Sequence, residues 1–133
     1  MPTFDFQRLD VYNVAVEYVT VAYELARTLP NGHSRLQDQM LRAAASIPLN
    51  IAEGSGEFSR PEKARFYRMA RRSAMESAAV LDILEAIGIA DTTNLSKARG
   101  LLDRTVAMLT QMSRVSKTGA GAQAQAQAGT AQE

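Results

Sequence analysis

The spacing of apolar residues constrains the fold of this chain more than any other feature of its sequence. In the second half of the chain, small and apolar residues recur at alternating intervals of three and four. The two rows with this spacing are Phe66, Ala70, Ser73, Ser77, Val80, Leu84 and Ile87, and then Leu95, Ala98, Leu102, Thr105, Leu109 and Met112. Such intervals are typical of helices that pack nearly parallel to one another. Because no segment alternates apolar and polar residues with period two, the sequence predicts an all-α fold.

Short segments rich in glycine, proline and asparagine divide the chain into four predicted helices. The breaks fall at residues 30–32, 54–56 and 88–94, where such residues are typical helix stop signals. The predicted helices cover about residues 6–29, 34–53, 59–87 and 93–116. Short loops between helices of similar length favour antiparallel neighbours. The sequence therefore predicts an antiparallel up-down-up-down four-helix bundle over residues 1–117.

Potential capping residues mark the start of each predicted helix. Side chains that accept hydrogen bonds from the first free backbone N–H groups define such starts. The candidates are Asp5 for the first helix, Ser34-x-x-Gln37 for the second, Ser59-x-x-Glu62 for the third, and Asp91 or Thr92 for the fourth.

Residues 118–133 differ in composition from the rest of the chain. They are almost all Ala, Gln, Gly and Thr, with a single charged residue. Such a segment has too little apolar surface to offset the entropy that ordering would cost. We therefore expect a disordered Ala/Gln/Gly-rich tail. A helical extension through residues 123–128 is the alternative, because Ala and Gln favour helices.

The composition excludes several classes of site. The 133-residue chain contains no cysteine and one histidine, His33, so a disulfide framework and thiolate or multi-histidine metal sites are excluded, and we expect no cofactor. The net charge of +1 gives no overall preference for nucleic acid or membranes. Because the first ten residues lack an apolar signal segment and no run of about 18 apolar residues is present, we expect a cytoplasmic protein.

The first predicted helix carries more apolar surface than one four-helix bundle requires. Its apolar residues span very roughly 240° of the circumference, whereas one bundle buries little more than about 100°. We predict that one apolar row contacts another copy of the chain, through the interface residues Val11, Ala15, Tyr18, Ala22 and Leu25. Partial exposure of the flanking residues or a different protein partner are the alternatives. A membrane is disfavoured because the polar strip of this helix is acidic.

Pro48 breaks a local rule inside the second predicted helix. A proline there removes one backbone hydrogen bond and frees the carbonyl of Ala44, so we expect a kink or local loosening. Asn50 and Glu53 follow among apolar neighbours. One interpretation is a polar site at the end of the bundle. The other is structural, with both side chains binding freed backbone groups or a nearby arginine such as Arg42 or Arg71.

A basic segment opens the third predicted helix. Residues 60–72 contain six basic residues and one acidic residue, a net charge of +5 in a chain whose total is +1. The arginines that we assign to nucleic-acid binding are Arg60, Arg65, Arg68, Arg71 and Arg72. On a helical wheel Arg65, Arg68 and Arg72 share the face away from the apolar row, and the planar guanidinium matches phosphate geometry. The alternative is a solvated face whose charges pair with acidic residues of the second helix or of another subunit.

The sequence offers no catalytic constellation. Glu-x-x-His pairs, which a di-iron bundle needs, are absent, and His33 falls in a predicted loop. The Gly54-Ser55-Gly56 segment lacks the Gly-Lys-Ser/Thr of a phosphate-binding loop. We therefore expect a protein that is not an enzyme.

Two runs of residues carry a resemblance to a known family. The run from Gln39 to Gly54, QMLRAAASIPLNIAEG, and the run from Ala70 to Glu76, ARRSAME, resemble the bacterial four-helix bundle family named after 23S rRNA intervening-sequence proteins. The opening Leu9-Asp10-Val11-Tyr12 also matches that family's first helix. The resemblance covers about residues 6–115, and it departs from the family at Arg72, where glycine is common, and in the extra tail.

The resemblance implies a homopentamer of four-helix bundles and brings no catalytic residues. The residues that match the family motif are Arg42, Pro48, Asn50, Glu53, Gly54, Ser73 and Glu76, and we interpret them as mainly structural. Distant relatives are accessory proteins of diversity-generating retroelements, which associate with a reverse transcriptase and nucleic acid.

Three functional hypotheses follow. The first is a non-enzymatic RNA-binding or nucleic-acid-binding protein that acts through the basic face of the third helix. The second is a protein–protein scaffold or adaptor that docks a partner enzyme such as a reverse transcriptase. The third is a small-ligand pocket near Pro48 and Asn50.

Overall fold

The computed structural model describes residues 2–114, and within that range it is built from helices alone. A 3-10 turn, Asp5–Arg8, precedes four α-helices. These are α1 (Asp10–Arg27), α2 (Ser34–Ser55), α3 (Arg60–Ile87) and α4 (Thr92–Met112). The predicted all-α fold with four helices is confirmed. The predicted disordered tail, residues 118–133, lies outside the described residues.

The starts of α3 and α4 follow the predicted capping. The Ser59 hydroxyl accepts a hydrogen bond from the backbone N–H of Glu62 at 3.2 Å. The Asp91 carboxylate accepts one from the backbone N–H of Asn94 at 2.8 Å. Gly88 closes α3 in a left-handed conformation, with φ of +79°, that favours glycine over residues with a side chain.

The start of α1 differs from the prediction. Asp5 opens the 3-10 turn instead of capping α1, and Leu9 stands in an extended conformation between the two elements. The turn is held by Gln7, whose side-chain oxygen accepts from the backbone N–H groups of Thr3 and Phe4 at 2.8 Å each. α1 therefore begins about four residues later than its sequence pattern indicates.

The predicted capping box at Ser34 is also wrong. His33 occupies the cap position of α2 without a side-chain hydrogen bond. The Gln37 side chain instead donates to the backbone carbonyl of Ala26 at 2.7 Å. This carbonyl belongs to the last turn of α1, where acceptors lack the usual partner four residues on, and it also accepts from the backbone N–H of Leu29 at 3.3 Å. Gln37 thus ties the start of α2 to the end of α1.

Each helix packs against two others around one core. α1 contacts α2 and α4, and α3 contacts α2 and α4. Across α3 and α4, the Arg99 guanidinium binds Asp82 at 2.9 Å and Glu85 at 2.6 Å, and these bonds raise the pKa of Arg99. Within residues 2–114, no helix is long and apolar enough to cross a membrane.

The α1 row that was predicted to contact another copy lies in the core of the single chain. Val11, Ala15, Tyr18, Ala22 and Leu25 are at most 3% exposed. The row faces inward because α1 packs against both α2 and α4, and these neighbours cover it. A side chain without exposed surface cannot contact a second chain, so this assignment is wrong. We call these five residues the inner row of α1.

The second apolar row of α1 remains at the surface. Val16 is 36% exposed and Tyr23 is 53% exposed, while Tyr12 and Val19 are half-buried. We call these four residues the outer row of α1. The apolar excess of α1 therefore reaches solvent along the row next to the one that was predicted, about 100° around the helix.

The core contains two hydroxyl groups that have no hydrogen-bond partner among the described residues. They are the phenol oxygen of Tyr18 on α1 and the side-chain oxygen of Ser77 on α3. Burial raises the pKa of Tyr18, and the nearby Ser77 hydroxyl lowers it by a smaller amount. By contrast, the buried Thr105 hydroxyl donates to the Leu101 carbonyl at 2.8 Å.

Candidate nucleic-acid interface

The first half of α3 presents three arginines to solvent. Arg65, Arg68 and Arg72 are all exposed, while Tyr67 and Ala70 between them are buried. Because the three arginines are three and four residues apart, they lie along one side of the helix. We call this set the α3 arginine row.

Two members of the α3 arginine row have no ion pair within residues 2–114. They are Arg68 and Arg72. Arg65 binds Glu62, with 3.2 Å between Nε and Oε1, and its guanidinium lies 4.6 Å from the ring centroid of Phe66. About half of each side chain in the Arg65–Glu62 pair is exposed, so the pair contributes little stability and can be exchanged for another anion.

Arg60 and Arg71 do not belong to this row. The Arg71 side chain is half-buried and donates to the hydroxyl of Thr110 on α4 at 2.8 Å. Its guanidinium is directed to the α3–α4 contact and not to the side of the three outward arginines, and its assignment to nucleic-acid binding stays a prediction. Arg60 is exposed at the first position of α3. Burial raises the pKa of Tyr67, and the positive charge of Arg60 lowers it by a smaller amount.

Aromatic side chains lie at the same end of α3. Phe58, in the loop between α2 and α3, is fully exposed at 101%. Phe66 is half-buried beneath Arg65. An exposed aromatic ring beside arginines is the kind of surface on which unpaired bases stack.

Polar side chains form hydrogen bonds at the contact between α2 and α3. The Ser73 hydroxyl donates to the Ser46 hydroxyl oxygen at 2.8 Å. The Asn50 amide donates to the carbonyl and to the hydroxyl oxygen of Ser46 at 2.9 and 3.0 Å. Asn50 therefore binds a backbone acceptor within its own helix. Ser73 of α3 binds the Ser46 hydroxyl, which also accepts from Asn50.

Gly54 permits a close approach of α2 and α3. A Cβ atom at this position would lie 2.8 Å from Cε1 of Tyr67 and 3.0 Å from Cβ of Phe66. Such distances are shorter than van der Waals contact, so a larger residue would push α3 away. Pro48 is buried in the same helix, and α2 continues through it without a break from Ser34 to Ser55.

Three residues of the family motif have no structural role that the described residues explain. Arg42, Glu53 and Glu76 are exposed. Glu76 accepts a long bond of 3.4 Å from the Gln39 amide. Glu53 forms no ion pair with Arg42 or Arg71, so the expected pairing of Glu53 is wrong for residues 2–114.

Two polar grooves between α2 and α3 meet at Glu76. One is lined by Arg35, Asp38, Gln39, Arg42 and Glu76. The other is lined by Ser46, Asn50, Met69, Arg72, Ser73 and Glu76. Sequence reasoning missed Arg35, although its distance of seven residues from Arg42 places both on one side of α2.

A separate groove between α1 and α2 is mainly apolar, with a volume of about 670 Å³. The outer-row residues Val19 and Tyr23 line it together with Leu41 of α2, and Glu24 and Asp38 lie at the same groove. Within residues 2–114 no group of three or more acidic or histidine side chains is placed to hold a metal ion.

Comparison with known proteins gives a family match and a fold match. A family model described as 23S rRNA-intervening sequence protein matches residues 7–111. The crystal structure of a protein with unknown function from the S23 ribosomal protein family of Bacteroides thetaiotaomicron shares the fold, with a TM-score of 0.72 and 20% sequence identity. The alignment covers 79% of this chain and 99% of that chain. No curated protein matches the chain.

Proposed function

Because the chain belongs to the family of 23S rRNA-intervening sequence proteins, we propose that it is a non-enzymatic protein that binds structured RNA through the α3 arginine row. The family resemblance in the two sequence runs is thereby confirmed, but it brings no defined biochemical role. The proposal therefore depends on the chemistry of the α3 surface.

One observation carries the proposal: Arg65, Arg68 and Arg72 are exposed together on one side of α3. Arg65 and Arg72 lie seven residues apart, or about 10 Å along the helix. Guanidinium groups bind phosphates with two parallel hydrogen bonds, and RNA presents phosphates at regular intervals. The missing ion pairs of Arg68 and Arg72 within residues 2–114 support this function, because these cations need not give up a protein partner when they bind phosphate.

We also propose that the four helices alternate in direction and that the chain assembles as a homopentamer in the cytoplasm. Contacts between α2 and α3 support the alternation, because Gln39 meets Glu76 whereas Ser46 meets Ser73. The outer row of α1 supports self-association, because exposed apolar surface next to a groove is typical of protein contacts. A ring would repeat the α3 arginine row around its circumference and increase RNA affinity through multivalency.

The test is RNA binding at several salt concentrations. We expect the double variant Arg68→Glu/Arg72→Glu to lose most of its affinity for an RNA hairpin, measured by fluorescence anisotropy, with unchanged helical content in circular dichroism. The matched control is Lys97→Glu/Arg104→Glu, which removes two exposed cations of α4 with the same change in charge. An unchanged affinity in the α3 variant, or a log affinity of the unmodified protein that does not depend on log salt, would contradict the proposal.

A scaffold or adaptor that docks a partner enzyme is the second candidate function. The apolar groove between α1 and α2 favours it, since Tyr23 stays 53% exposed at its edge. A partner such as a reverse transcriptase would then bind after nuclease treatment and would be lost in Tyr23→Asp. Binding that nuclease abolishes would instead favour RNA.

A further inference from the structure

We propose that the RNA-binding surface extends across the groove between α2 and α3, where Arg35 and Arg42 bind a second set of phosphates and Glu76 accepts a hydrogen bond from a ribose 2′-hydroxyl. This inference rests on the proposed RNA-binding function, and it adds a selectivity for RNA over DNA. The surface therefore comprises two helices, with Glu76 between their arginines.

Glu76 lies where the two polar grooves between α2 and α3 meet, and we treat them as two segments of one groove. Glu76 lines the segment that contains Arg35 and Arg42, and it also lines the segment that contains Arg72. One carboxylate thus lies between arginines of α2 and an arginine of α3. A strand that follows the groove would pass the guanidinium groups on both sides of this carboxylate.

The cations of the groove are available for a ligand. Arg35, Arg42 and Arg72 form no ion pair within residues 2–114, although the carboxylates of Asp38 and Glu76 line the same grooves. Other arginines are paired, as in Arg27 with Glu24 at 2.6 Å and Arg99 with Glu85 at 2.6 Å. Arg35, Arg42 and Arg72 differ from an isolated arginine that is unpaired among the described residues, such as Arg104, because all three line grooves that share Glu76.

The chemistry of Glu76 distinguishes the two nucleic acids. An ionised carboxylate accepts hydrogen bonds and cannot donate them. The sugar of RNA offers a 2′-hydroxyl donor that the sugar of DNA lacks, and this group is the one by which proteins tell RNA from DNA. Next to DNA phosphates the Glu76 carboxylate would be repelled without compensation. The bond from Gln39 to Glu76 is long, at 3.4 Å, so it leaves the carboxylate free to accept a further bond.

The length of the groove sets the size of the bound segment. Arg35 and Asn50 lie fifteen residues apart on α2, or about 22 Å along the helix. At the axial rise of double-stranded DNA, about 3.4 Å per nucleotide, this length would correspond to roughly six steps of one strand. Duplex RNA is contacted mainly through phosphates and 2′-hydroxyls across its minor groove, which matches a surface of guanidinium, amide and carboxylate groups.

The experiment compares two labelled probes of the same sequence, an RNA duplex and a DNA duplex of about twelve base pairs, by fluorescence anisotropy at about 100 mM salt. The full chain is used with three single variants, Arg42→Ala, Glu76→Ala and the control Arg104→Ala. Arg104 is an exposed arginine of α4 without an ion pair within residues 2–114. Circular dichroism of each variant confirms that the helices remain.

We expect Arg42→Ala to weaken RNA binding about fivefold and to reduce the slope of log affinity against log salt by about one, while Arg104→Ala changes neither. We expect Glu76→Ala to weaken RNA binding and to strengthen DNA binding, so that the preference for RNA falls about tenfold.

Each result that contradicts the inference is distinct from failure of the proposed function. If Arg68→Glu/Arg72→Glu abolishes RNA binding but Arg42→Ala binds like the unmodified chain, the α2 side of the groove is not part of the site and the proposed function stands. If Glu76→Ala changes RNA and DNA affinity by the same factor, Glu76 acts only through its charge and the 2′-hydroxyl contact is wrong. If the unmodified chain binds neither probe, the proposed function fails and the inference fails with it.

Discussion

Helices α1 and α2 each bury one side, but a row of apolar residues reaches solvent on α1, whereas Leu49 is the one large apolar residue exposed on α2. α1 leaves the apolar side chains of Val16 and Tyr23 in solvent. α2 leaves the charged side chains of Arg35, Arg42 and Glu53 in solvent. An exposed apolar surface is stabilised when another protein covers it, whereas exposed unpaired charges gain most from a charged ligand. The comparison teaches that one small bundle can keep an exposed apolar surface and an exposed charged surface apart.

The largest expected effect separates the two rows of α1. Ala22→Asp places a charge where the side chain is 0% exposed, so we expect a loss of about 3–5 kcal/mol and unfolding in circular dichroism. Val19→Asp, three residues away in the half-buried outer row, should keep its helical content and lower the mass in light scattering toward that of one chain. A folded Ala22→Asp protein of reduced mass would reverse the assignment of the two rows.

The buried side of α2 predicts the next largest effect. Gly54→Ala would force a methyl group against Tyr67, so we expect a loss of about 1–3 kcal/mol in the free energy of unfolding, measured in urea. Gly56→Ala is the matched control, because its nearest neighbour would be the Glu53 carbonyl at an ordinary 3.6 Å. Equal stability of the two variants would mean that α2 and α3 lie farther apart at Gly54 than the 2.8 Å contact with Tyr67 requires.

A smaller effect concerns the buried phenol of α1 and depends on pH. Burial raises the pKa of Tyr18 above its ordinary value of about 10, so the folded state holds the proton more tightly than the unfolded state. The resulting stability is fully present below about pH 10 and is lost as the pH rises through the folded-state pKa. As the pH is raised above about 10, we expect the free energy of unfolding to fall less in Tyr18→Phe than in the unmodified chain, measured by urea unfolding.

At neutral pH the same substitution tests the unpaired hydroxyl. Tyr18→Phe removes a buried polar group without a partner, so we expect unchanged stability or a gain of about 1 kcal/mol. Tyr23→Phe on the outer row is the control, since its hydroxyl is on an exposed residue. A clear loss of stability in Tyr18→Phe would indicate that Tyr18 and Ser77 are satisfied in solution, for example by a water.

The smallest expected effect is on the exposed side of α2. Arg42→Ala and Glu53→Ala should each change the free energy of unfolding by less than about 0.5 kcal/mol, because both residues are exposed and without an ion pair within residues 2–114. A loss well above this value would restore the structural interpretation of these two motif residues. It would also weaken the contrast between α1 and α2.

Sequence periodicity was sufficient to predict the four helices, because intervals of three and four and the stop signals at Gly32, Gly54 and Gly88 depend only on local order along the chain. The starts of α3 and α4 were predictable for the same reason, since Ser59 and Asp91 bind N–H groups three residues away. The start of α2 was not, because Gln37 binds Ala26 across a loop.

The direction in which a row faces could not be read from α1 alone. Both rows are apolar, and the choice between them depends on where α2 and α4 pack. The candidate site was partly predictable, since Arg65, Arg68 and Arg72 face outward as the helical wheel predicts. The direction of Arg71 toward Thr110 and the groove that joins Arg42 to Glu76 depend on neighbouring helices, which the wheel of a single helix does not include.

The ion pairs of Arg99 with Asp82 and Glu85 affect the rate at which RNA would associate with the protein. Five arginines, a lysine and one glutamate lie in the first half of α3, while Glu76, Asp82 and Glu85 lie in the second half, where Arg99 offsets one of the three negative charges. The potential along the helix axis therefore runs from strongly positive to weakly negative. A polyanion in such a field is turned toward the positive end before it touches the protein, so its association rate should fall steeply with ionic strength.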